Sequence, residues 1–303
     1  MRDVLTTPMF APVAPVLLNH AERIKTADLL HLSAPATIEG VLALGHLEAA
    51  CLDLGLKYHR RFFTPRRHLP RDAGDAWRVE NTGLSVVMDV EAPTHDIENI
   101  PTTAHVHLVS LATSVEMGST HRRLAGALDG VAQAAALAAS LAPNGRRVRK
   151  LRPYLSLGLW LGAALNTNMD PIHTMLLNHL SEEGSVRVVP LPEVTHPETA
   201  TMTGLSTRQL KRLAKVWPTM DVEQRSMALS ELALPCLTAS DLSTPRLEEL
   251  IWHRMLVGDS DTDIVSQLEL IQQAWPLDSE EARLFASKVL DRWLKTAVLS
   301  PGD

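Results

Sequence analysis

The side chains of this 303-residue chain with the chemistry to bind or react fall into three groups: closely spaced histidines, two arginine clusters, and one aspartate closing an apolar run. His105 and His107 lie two apart in a strand-like stretch, so their imidazoles project to one side, a spacing that can chelate zinc. No Cys or acid at ligand spacing accompanies them, so surface or satisfied core histidines are the simpler reading, extended to His59, His121, His173 and His179. The first basic cluster is Arg60, Arg61, Arg66, Arg67, His68 and Arg71, interleaved with Tyr58, Phe62 and Phe63 as in a groove for single-stranded nucleic acid. The second is Arg146, Arg147, Arg149, Lys150 and Arg152. Both are candidate DNA or partner contacts, with a solvated face or an acidic protein partner as the alternative. Asp89 ends the apolar run Val86-Val87-Met88.

Other chemistries have no motif. There is no Gly-x-Gly-x-x-Gly, Walker loop, Gly-x-Ser-x-Gly elbow or Cys-x-x-Cys, so nucleotide, hydrolase and redox readings lack support, and neither a cofactor nor a metal is expected. Cys51 and Cys236 stand in apolar surroundings and read as small buried hydrophobes in a reducing compartment. A net charge of −6 argues against a protein that coats nucleic acid by counterion release, although weak single-stranded DNA contact stays open. Prolines 8, 12 and 15 break up the amino-terminal apolar stretch, and no later run reaches the roughly 20 apolar residues of a membrane span. A cytoplasmic protein without membrane contact is expected.

The elements that must position these residues change character along the chain. With 45% hydrophobic residues, the composition supports one large domain or two lobes, and two are expected: an α/β domain over 1–190 and an all-helical lobe over 191–303. In the first, strands are expected at 29–32, 56–63, 84–90 and 105–111. Thr37 caps an amphipathic helix that Gly55 ends. A second helix spans 124–141, and a buried one spans 154–165. Alternating strands and helices imply a mainly parallel sheet covered on both faces. A Pro/Thr-rich linker follows 190, and then helices at 206–216, 221–234, 244–256, 261–274 and 279–294, several opening on Ser, Thr or Asp. Trp217, Trp252, Trp275 and Trp293 in these helices are core residues or aromatic anchors for a partner.

Taken together, the pieces resemble the DHH phosphoesterase superfamily, in particular its archaeal RecJ-like proteins. That family's His-x-Asp-x-Asp-Gly motif corresponds to the stretch from His31 to Gly40, where Ser33 and Pro35 replace the two acids. Asp89 falls where the next acid ends a strand, Ser110 lies where the Asp-His-His triplet should be, and Asn166 stands for the last metal acid. Gly126 to Gly130 resembles the family's Asp-Gly helix start, and Met202 to Ser206 with Leu247 to Ile251 resembles its following helical segment.

The resemblance implies a DHH-like α/β domain with no catalytic residues, the positions His31, Ser33, Pro35, Asp89, Ser110 and Asn166 being degenerate. It implies a pseudo-enzyme with a scaffolding role in DNA replication, binding the GINS complex and through it the MCM helicase. The alternative it leaves is a Mn²⁺-dependent exonuclease or phosphodiesterase on single-stranded oligonucleotides.

Overall fold

A computed structural model describes residues 4–99, 103–119, 121–162, 170–198, 205–238, 243–258 and 260–302. After the helix α1 (Ala14–Thr26) come β1 (Leu30–Pro35), α2 (Ile38–Leu54), β2 (Tyr58–Phe63), β3 (Leu84–Met88) and β4 (Val106–Leu108). These four strands form an all-parallel sheet in the order β2-β1-β3-β4, so the chain is α/β as expected. The sheet order reverses beside β1, and in open parallel sheets ligands bind outside the carboxyl ends of the strands at that point.

The two faces of the sheet differ. Leu30, Leu32 and Ala34 of β1 are buried in the core that α2 shares. Thr37 caps α2, its Oγ1 accepting from the Gly40 amide at 3.1 Å, and Gly55 ends the helix in the left-handed region at φ 69°. The helix is not amphipathic as its spacing suggests: every residue from Gly40 to Cys51 is buried, because α3, α4 and α11, defined below, pack around it. On the other face His31, Ser33, Ser85, Val87 and His107 share register. The 64–83 connection packs against them, placing the Trp77 ring 5.1 Å from that of His107, and Ser85 Oγ accepts from the Glu80 amide at 2.9 Å.

The expectation of a helix over 124–141 is corrected. Residues 122–128 form β6 (Arg122–Leu128), antiparallel to β5 (Leu111–Met117), and α3 (Gly130–Leu141) starts only after Asp129, whose carboxylate caps it. Leu124, Gly126 and Leu128 alternate with period two and pair with Val115, Thr113 and Leu111, a long-range pairing that overrides the alanine-rich helical stripe. Then follow α4 (Arg146–Leu151), α5 (Leu157–Gly162), α6 (Pro171–Glu182) and β7 (Val186–Val189). The 154–165 expectation is only partly met: a 3-10 turn ends at Tyr154, α5 begins at Leu157, and residues 163–165 lie outside the described residues.

The helices α7 (Thr207–Val216), α8 (Val222–Ala233), α9 (Thr244–Trp252), α10 (Ile264–Ala274) and α11 (Ser279–Thr296) lie where helix periodicity places them. The all-helical reading of 191–303 is nevertheless corrected by β8 (Arg254–Val257), which ends the expected 244–256 helix early and pairs antiparallel with β7. The main core takes in Ile264, Leu268 and Ile271 of α10 and Val289, Leu290 and Trp293 of α11, while a smaller cluster gathers Leu191, Leu210, Trp217, Leu229 and Leu247. Gly45 of α2 lets α11 close in: a Cβ there would meet Cζ3 of Trp293 at 2.4 Å. No helix among the described residues is long and apolar enough to cross a membrane.

Candidate binding cleft at the carboxyl edge of the sheet

Three helix starts open onto a cleft of about 950 Å³ at the carboxyl edge. They are those of α2, at Thr37 to Glu39, of α3, at Asp129 to Val131, and of α6, at Asp170 and Pro171. Each has a side-chain cap. Asp129 Oδ1 accepts from the Ala132 amide at 2.7 Å, and Asp170 accepts from Ile172 at 2.8 Å and from Ala127, in β6, at 3.0 Å. Glu39, Glu91 and Arg67 bring further charge, while Leu159, Leu161, Trp275 and Leu277 supply an apolar wall.

The carboxylates are held in unfavourable surroundings. Burial pushes Asp129 up to about 7, against the Ala132 hydrogen bond and with the charges of Glu39 and Asp170 adding to it. Its Oδ2 packs against the Gly158 backbone, out of contact with water, and has no hydrogen-bond partner among the described residues. Burial also raises Asp170 and Glu91, although Asp170 takes two backbone amides and Glu91 takes that of Arg66 at 2.9 Å.

Asp89 faces elsewhere. It sits with Arg66, Arg67, Arg71 and Trp77 on a separate cavity of about 300 Å³. Arg66 Nη2 donates to its Oδ2 at 3.0 Å, and His107 Nε2 lies 3.8 Å from the same oxygen. Burial works to raise Asp89, but the nearby His107 ring and the Arg66 guanidinium outweigh it and hold the carboxyl below its usual range. Asp89 therefore has a resident cation. The residues matched to a two-metal centre do not fit one: Ser33 and Pro35 are buried and carry no carboxylate, and the Ser110 hydroxyl is 3.0 Å from that of Thr94. His31 pairs with Ser85, four residues before Asp89, which sets it roughly 13 Å away along the strands. Its ring stacks edge-on against His59 at 5.4 Å. Asn166 lies outside the described residues. Among those residues no group of three or more His, Cys, Asp or Glu side chains is arranged to hold a metal ion. His105 and His107 do share a side, with rings 5.6 Å apart, and both pack on Trp77.

The expected nucleic-acid groove is corrected in its aromatic part. Phe62 and Phe63 are buried and present no free stacking face, and the half-buried Tyr58 donates its hydroxyl to Glu48 at 2.8 Å. Successive side chains of β2 point to opposite faces of the sheet, and only at its carboxyl end, at Phe62 and Phe63, are both faces buried. Several basic residues are engaged as well. Arg60 bridges Glu48 and Asp291, Arg61 lies 3.8 Å from Glu80, and Arg147 binds Asp53 at 3.0 Å. Arg149 donates to the carbonyls of Asn144 and Gly145, and Arg152 pairs with Glu183. Arg67, Arg146 and Lys150 are exposed, with no ion pair among the described residues.

Trp217 and Trp293 are core residues, whereas Trp252 is 40% exposed. Both cysteines are buried and not disulfide-bonded. The acids of the cleft were missed because the helix expected over 124–141 hid Asp129 inside its span. Asp170 followed by Pro171 is a legible helix start, and that signal marks the cleft's third helix. No protein-family model matches this chain, and no curated protein matches it.

Proposed function

We propose that this chain is a non-catalytic RecJ-like protein of the cytoplasm that binds the GINS complex and, through it, the MCM helicase, as a scaffold in DNA replication. The partner rests on the resemblance of its motifs to that family. The observation that carries the non-catalytic part is the Arg66–Asp89 ion pair: the acid retained at a ligand position is already neutralised by a guanidinium. A second positive charge there would add repulsion to the desolvation of a divalent ion. Ser33, Pro35 and Ser110 are then parts of the scaffold, and the exposed Arg67, Arg71, Arg146 and Lys150 are basic residues of the two clusters left to touch an acidic partner or single-stranded DNA.

Size-exclusion chromatography of the full chain mixed with the GINS complex of its host tests the partner, and co-elution is the expected outcome. A parallel assay on single-stranded DNA with Mn²⁺ is expected to show no cleavage. Cleavage that Asp89→Ala removes would establish the phosphodiesterase alternative instead.

A further inference from the structure

The smaller cavity is built almost wholly by one connection, its lining running from Phe63 to Trp77 and taking in Asp89. Arg66 pins that connection to the sheet. Its Nη2 donates to Asp89 at 3.0 Å and lies 3.5 Å from Asp75, and its amide donates to Glu91 at 2.9 Å. Two turns fix the residues that follow, the Leu69 amide donating to the Arg66 carbonyl and the Ala73 amide to that of Pro70, each at 3.0 Å. Both carboxylates of the cavity are thereby engaged by one guanidinium. Arg67 and Arg71, exposed on the same cavity, donate to no acceptor among the described residues. Three guanidiniums against two carboxylates leave an excess of positive charge, and two planar forks with several N–H donors each are uncommitted.

The walls and the size narrow the ligand. Phe63, Leu69, Pro70 and Trp77 supply apolar surface, and the Trp77 ring is held 5.4 and 5.1 Å from those of His105 and His107. A volume of about 300 Å³ is at the small end of ligand sites and suits one compact molecule with an apolar body and a charged head. A tetrahedral phosphate offers oxygens to two guanidiniums at once, which a carboxylate with two oxygens does less well. We propose that this cavity binds a small phosphate monoester, its phosphate held by Arg67 and Arg71 and its aromatic or apolar body lying against Phe63, Leu69 and Trp77. The proposal goes beyond the scaffold reading and does not rest on it, because the ligand is a single small molecule rather than a partner complex or a strand.

Isothermal titration of the full chain at low salt, where screening is least, tests this with phenyl phosphate, inorganic phosphate and an oligothymidylate lacking terminal phosphates. Saturable binding of phenyl phosphate is expected, about tenfold tighter than that of inorganic phosphate. Arg67→Ala and Arg71→Ala, at exposed positions where the melting temperature should not move, are each expected to weaken it about tenfold. Arg71→Lys keeps the charge without the fork and is expected to cost about threefold. Trp77→Leu is expected to weaken phenyl phosphate and leave inorganic phosphate unchanged. Arg146→Ala, an exposed arginine outside the cavity, is expected to change nothing. No binding of phenyl phosphate at about 5 mM, binding no tighter than that of inorganic phosphate, or binding unchanged in both cavity variants would each overturn the proposal. Equal weakening in Arg146→Ala would show attraction to surface charge alone and overturn it too. Tighter binding of the oligothymidylate, lost in Arg67→Ala, would assign these arginines to nucleic acid instead. Failure of GINS co-elution leaves the proposal standing, so the two readings fail separately.

Discussion

At the scale of single residues, buried acids and buried histidines pull the pH response of the protein in opposite directions. Asp129 and Glu269 each titrate near 7, raised by burial, the second beside the buried Arg254 and Asp263. In the unfolded chain both lose their protons near pH 4, so between about pH 4 and 7 the folded state binds more protons than the unfolded one. Their contribution to stability therefore falls as pH rises through this window, whereas His20 and His46, lowered by burial to about 4 and about 3, give the opposite slope up to the usual imidazole value of 6.5. Thermal melts are expected to shift downward between pH 6.5 and 8, where only the acids still titrate against their unfolded values, and Asp129→Asn is expected to melt higher than the parent at pH 8 with a shallower pH dependence. Asp89 behaves oppositely. Its lowered value stabilises the fold above its unfolded pKa, and this contribution disappears as pH falls through the folded one. Arg66→Ala is expected to raise the Asp89 pKa, seen by carboxyl chemical shifts across an acid titration. Arg66 is half-exposed, so the expected stability loss is only about 1 kcal/mol.

Among the elements, α2 decides the most. It is wrapped by α3, α4 and α11, and the approach of α11 depends on Gly45. Gly45→Ala sets a methyl against the rigid Trp293 indole, an overpacking expected to cost about 1–3 kcal/mol and to lower the melting temperature by several degrees. Asp170→Ala removes the acceptor for both the Ile172 and Ala127 amides, which ties α6 to β6. A loss of about 1–2 kcal/mol is expected, with faster hydrogen exchange at those two amides.

Across the whole molecule, chain order and packing order diverge. β7 finds its partner in β8 across nearly the whole second core cluster, and α10 and α11 return to the main core. A fragment of residues 1–190 is accordingly expected to lose its fixed packing, because it exposes the Trp293-facing side of α2 and leaves β7 unpaired. Loss of near-ultraviolet circular dichroism with gain of dye binding would show it, and a cooperative melt of the fragment would refute the expectation.

Local signals in the sequence determined the strands of the parallel sheet, the capped span of α2 and the placing of the five carboxyl-terminal helices, each element carrying its own period or cap. They also singled out the basic clusters as chemically eligible residues, while Asp89 came from the resemblance to the DHH family. Tertiary structure alone decided that 122–128 would be a strand, because β5 supplies its hydrogen bonds, and that 254–257 would pair with β7. It alone decided which eligible residues meet. Asp89 gained Arg66, His31 fell a strand's length away, and Asp129 came together with Glu39, Glu91 and Asp170 from different parts of the chain. The reason is that periodicity records which side of an element is buried, whereas a cleft at a sheet edge is made by the convergence of helix starts distant in sequence, and no local spacing encodes that convergence.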